Sequence, residues 1–187
     1  MTNKELKGID VSKWQGDIDW SKVKASGISF AMIRLGYGSS DGTQCGVDSY
    51  FHKNVVNAVK AGVNVGCYFY SYAMSVEAAR KEAQFVVNTL KNYKGVFTYP
   101  ISFDLEDPKQ QSLGKTVLTN MVIAFGADAF TFTKQVPVSD TEISISENFK
   151  CFKQSLGVSL EISLVFASSI ISAILLACAS CAEALPE

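Results

Sequence analysis

Apolar and polar residues alternate along the first two thirds of the chain in a repeating order. A short strand-like run ends in polar or glycine residues, a helical stretch follows, and another strand begins. The strand runs are 8–12, 30–38, 64–73 and 99–107. Between them, 19–26 and 48–61 have acidic starts and stop at Gly27 and Gly62. A third helix opens at Ser75 and keeps Ala79, Ala83, Val86, Val87 and Leu90 on one stripe towards Tyr93. A fourth opens near Leu113. Strand and helix in turn predict parallel βα units.

Period-two geometry sorts each strand into two faces. Ile9 and Val11, then Ala31, Ile33 and Leu35, then Val65, Cys67 and Phe69, then Ile101, Phe103 and Leu105 form the apolar set, suited to packing under helices. The opposite set holds Asp10 and Ser12, then Met32, Arg34 and Gly36, then Gly66, Tyr68, Tyr70 and Tyr72, then Ser102, Asp104 and Glu106. A doubly wound sheet buries both faces and its strands read as continuous apolar runs, which these do not. A TIM-like βα barrel fits better, with the functional groups at the carboxyl ends of its strands.

Asp104 and Glu106 are two residues apart on one strand, so their carboxylates share a face with Cα atoms roughly 7 Å apart. Close carboxylates split their pKa values. One then keeps its proton as an acid while the other stays ionised, the division of labour that glycoside hydrolysis needs. Asp140-Thr141-Glu142 repeats the spacing without a strand around it, so context distinguishes the two. Asp10 brings a third carboxylate to the same face, able to hold a water or a sugar hydroxyl. Arg34 is placed to pair with one of these carboxylates and lower its pKa, or to meet substrate. Tyr68, Tyr70 and Tyr72 form an aromatic row that could stack on sugar rings or fill a barrel.

Other chemistries lack their parts. The one histidine, His52, reads as a surface residue on the second helix, which leaves Ser-His triads and histidine metal sites unsupplied. There is no phosphate-binding loop, and Gly36-Tyr37-Gly38 lacks the rest of a dinucleotide fingerprint. With 17 basic and 18 acidic residues the net charge is -1, which gives no basic field for nucleic acid and suits a neutral or polymeric substrate. Five cysteines, Cys45, Cys67, Cys151, Cys178 and Cys181, suggest free thiols. The amino terminus shows no secretory signal, so the expected export uses another route.

The segment KGIDVSKWQG (7–16) resembles the opening of the glycoside hydrolase family 25 lysozymes, the Chalaropsis-type muramidases. FAMIRLGYG (30–38), GCYFYSYA (66–73) and PISFDLED (100–107) resemble further blocks of that family in the right order, and the likeness covers about 6–125. The resemblance implies a barrel of five βα units and three further strands. It implies hydrolysis of the β-1,4 bond between N-acetylmuramic acid and N-acetylglucosamine in peptidoglycan, by a monomer acting at the cell wall without metal or cofactor. On the matching positions it makes Glu106 the general acid and base, Asp104 the partner that orients the substrate's acetamido group, and Asp10 a supporting carboxylate.

Beyond Phe125 the likeness stops, so residues 1–125 read as the front of a barrel truncated after its fourth strand and helix. Residues 126–187 read as an atypical tail of the kind a shifted reading frame produces. Within it, 162–182 is uncharged and long enough to span a bilayer. Its serines and the absence of basic flanks weigh against a membrane role. The alternative to a muramidase is an inactive remnant that binds glycan or sits on a membrane.

Overall fold

The computed structural model describes residues 6–133. Four strands, β1 (Gly8–Val11), β2 (Phe30–Tyr37), β4 (Asn64–Tyr70) and β5 (Ile101–Asp104), lie parallel in the order β1-β2-β4-β5. A two-residue strand, β3 (Gly46–Val47), adds antiparallel to β2. The helices are α1 (Trp20–Ala25), α2 (Phe51–Lys60), α3 (Val76–Leu90), the single turn α4 (Pro108–Gln111) and α5 (Lys115–Thr133). The predicted βα alternation is therefore present, as a mixed α/β sheet whose principal strands are parallel.

Local chemistry explains most of the boundaries. Asp19 caps α1 by accepting from the Lys22 amide at 3.1 Å, and Gly27 follows in the left-handed region at φ 88°. Ser75 caps α3 through the Ala78 amide. The predicted acidic start of α2 is corrected, because Asp48 lies three residues before the helix and is drawn into the interior by an ion pair. A 3-10 turn over Lys13–Gln15 follows β1 and is closed reciprocally by Ser12 and Gln15.

The apolar set of strand residues packs as predicted. Val11, Ala31, Ile33, Leu35, Val65, Cys67 and Phe69 are buried with Phe51 and Val55 of α2 and Ala83, Val86 and Leu90 of α3. Phe125 of α5 joins this core by stacking on Phe103, with ring centroids 3.9 Å apart. α5 runs unbroken across residue 125. The second D-x-E copy, the cysteines after Cys67 and the apolar stretch 162–182 lie outside the described residues.

Candidate active site

The parallel register sets the polar face of the sheet in rows. Asp10 pairs with Met32 and Met32 with Gly66; one step along, Arg34 pairs with Tyr68 and Tyr68 with Ser102; next, Tyr70 pairs with Asp104. Neighbouring strands are roughly 4.8 Å apart, so Asp10, Arg34, Tyr68, Tyr70 and Asp104 share one patch towards the carboxyl ends of their strands. Gly66, between Met32 and the segment before β5, lets that side chain and Tyr99 pack directly against the β4 backbone. A Cβ there would lie 2.6 Å from Met32 Sδ and 2.8 Å from Tyr99 Cβ. Glu106 lies two residues beyond the end of β5 and is exposed, as is Tyr72 beyond β4.

Charge and burial make these groups one electrostatic unit. Burial, followed by the negative charges of Glu106 and Asp10, pushes Asp104 up to about 7, while Arg34 pulls it back. Asp10 keeps contact with solvent, yet the protein around it raises its pKa; the Tyr68 hydroxyl and Arg34 oppose that rise. Tyr70 is pushed up to about 12 by burial and by the charge of Glu106 and its neighbours. Tyr68 is driven up as well, by burial and by Asp10. These tyrosines therefore remain neutral hydrogen-bonding hydroxyls at physiological pH.

Arg34 departs from expectation. Its guanidinium forks onto Asp48, with Nε at 2.7 Å and Nη2 at 2.6 Å from Oδ2, in a pair whose carboxylate is fully buried. Asp48 also accepts from the Lys13 and Tyr50 amides. Arg34 thus touches the carboxylate patch through its field rather than by direct pairing. The ion pair joins β2 to the segment between β3 and α2, a contact between residues 14 apart whose partner the sequence does not reveal, and the Lys13 amide ties the same carboxylate to the turn after β1. Sequence reasoning also missed Ser71, Glu82 and Gln110, which are buried together behind the site. It missed Trp14 too, 75% exposed on the turn that follows Asp10. His52 is exposed, as expected, and shares a hydrogen bond with the Tyr93 hydroxyl.

The profile of the Glycosyl hydrolases family 25 matches residues 9–143, well over half of the chain. The chain belongs to this family. The match continues past Phe125, beyond the end of the likeness read from the sequence. This family 25 chain is 44% identical over 66 residues to Lysozyme M1 of Streptomyces globisporus, covering 35% of the chain and 21% of that protein. It superposes on the bacterial lysozyme of Streptomyces coelicolor with a TM-score of 0.54 at 26% identity, covering 73% of this chain and 63% of that one. The modular autolysin LytC of Streptococcus pneumoniae, solved in complex with a synthetic peptidoglycan ligand, shares the fold with a TM-score of 0.57 at 22% identity, over 67% of this chain and 30% of that one. The chain therefore spans about a fifth of Lysozyme M1.

Proposed function

We propose that this family 25 chain is a peptidoglycan hydrolase that acts at the cell wall and cuts the β-1,4 bond between N-acetylmuramic acid and N-acetylglucosamine. One observation carries the reading: the parallel register sets Asp104 on the same sheet face as Asp10, and burial with the charges of Glu106 and Asp10 pushes its pKa up to about 7. Asp104 is therefore the carboxyl that keeps a proton near neutrality, with Glu106 two residues further along the same segment. The four parallel strands are then the first strands of the βα barrel, with the carboxylates at its mouth.

Glu106, exposed beyond β5, is the group that reaches the glycosidic oxygen. Asp104 sits deeper, where a substrate acetamido N–H would donate to it and favour its ionised form. As Asp104 ionises its proton passes to Glu106, which gives it to the leaving oxygen while the acetamido oxygen attacks the anomeric carbon and the glycosidic bond breaks. Water enters next, Glu106 takes back a proton, and the ring intermediate opens to the hydrolysed sugar. Asp10 with Tyr68 holds a sugar hydroxyl or water beside the pair, and Tyr70 and Tyr72 offer aromatic faces to the sugar rings. Arg34 tunes the group's charge. The substrate is a glycan strand, and nothing in this chemistry calls for metal or cofactor.

The test is product analysis. Glycans released from purified walls by the full chain should carry new N-acetylmuramic acid reducing ends, and Glu106→Gln should lower their yield to background. New N-acetylglucosamine ends would overturn the proposed bond.

A further inference from the structure

Ser71, Glu82 and Gln110 come from three different elements and are all buried to within about 1% of full occlusion. None can touch a substrate, yet their hydrogen bonds interlock. The Ser71 hydroxyl donates to Glu82 Oε2 at 2.6 Å and accepts from the Ala73 amide at 3.1 Å and from Gln110 Nε2 at 3.2 Å, which uses its one proton and both lone pairs. Gln110 Nε2 also donates to the Ala73 carbonyl at 2.9 Å, and Glu82 Oε1 accepts from the Tyr72 amide at 3.2 Å. Gly38 makes room for the acid, since a Cβ there would stand 1.7 Å from Glu82 Oε1. A polar cluster this far from water is costly to desolvate, and a packed apolar trio would stabilise the fold more simply.

What the cluster holds is the segment that carries Glu106. The Ser71 amide donates to the Asp104 carbonyl at 2.8 Å, which fixes the segment's upstream end. Gln110 belongs to α4, which begins two residues after Glu106, with Asp107 accepting from the Lys109 amide at 2.9 Å. The downstream end is thereby tied to the same serine. The same bonds set Tyr72 on its loop. We infer that Ser71, Glu82 and Gln110 form a buried clamp whose role is to position Glu106 against Asp104, holding the Asp104–Glu106 segment at both ends. Glu82 and Gln110 are positioning residues, and the inference rests on the proposed pairing of Asp104 with Glu106.

The measurement is a carboxyl-carbon NMR titration of Asp104 in the full chain, with and without Glu106→Gln, in the native background and with Gln110→Met. In the native background, Glu106→Gln should lower the Asp104 midpoint by about half a unit or more, because a neighbouring charge is lost. With Gln110→Met the same change should move it by less than half as much, and the wall-clearing kcat should fall at least roughly tenfold with KM within about twofold. Glu82→Gln, which keeps the side chain's shape, should act in the same direction and serves if Gln110→Met unfolds. Equal Asp104 movements in the native and clamp-altered backgrounds would overturn the clamp while leaving the acid pair standing. An Asp104 midpoint indifferent to Glu106→Gln in the native chain would overturn both.

Discussion

Asp104 keeps its proton to about pH 7 because burial strips water from its carboxylate and because Glu106 and Asp10 add negative charge. An aspartate in the unfolded chain loses its proton near pH 4. Between those values the folded chain therefore binds more protons than the unfolded one, so the stability Asp104 contributes is present at low pH and is lost as pH rises through about 7. Asp104→Asn removes that titration. Its melting temperature should exceed that of the native chain at about pH 8 and converge with it near pH 4, while hydrolysis is lost. Equal melting temperatures at both pH values would contradict the assigned environment. Asp10, Asp104 and the tyrosines could be placed from sequence because period two in a strand fixes their face. Glu82 could not, since it is one charged residue in the run Arg80-Lys81-Glu82 and only tertiary packing singles it out for burial.

Among the elements, helix ends were legible wherever a side chain or a glycine determines them, as at Asp19, Gly27, Gly62 and Ser75. The start of α2 was not, because Asp48 serves a distant arginine instead of its own helix. The two-residue β3 carries no periodicity to read. β4 depends on Gly66 at its centre, where Met32, Tyr99 and the Pro100 carbonyl leave no space for a methyl group. Gly66→Ala should destabilise the chain by about 1–3 kcal/mol through forced displacement of β4 from its neighbours. A urea titration checks this, and an unchanged midpoint would show that the gap between β2 and β5 can yield.

For the described molecule as a whole, four parallel strands in sequence order were legible in the alternation of apolar runs. The attachment of α5 was not, since its apolar residues do not fall on one stripe. α5 packs against α3, and Phe125 ties it to the sheet by stacking on Phe103 and, with centroids 6.5 Å apart, on Phe69. Phe125→Ala should cost about 3–5 kcal/mol and loosen α5 from the sheet, read as a lower denaturation midpoint together with faster amide exchange along α5. A loss under 1 kcal/mol would mean that the helix is held elsewhere. The carboxylate patch depends on this packing, since β5 presents Asp104 from the opposite side of the strand that Phe103 anchors. The claim that the patch hydrolyses cell-wall glycan is tested most directly by the turbidity of a bacterial wall suspension with equal amounts of the native chain and of Glu106→Gln. The account predicts clearing by the native chain and a rate at least roughly a hundredfold lower for the variant; undiminished clearing by Glu106→Gln would contradict it.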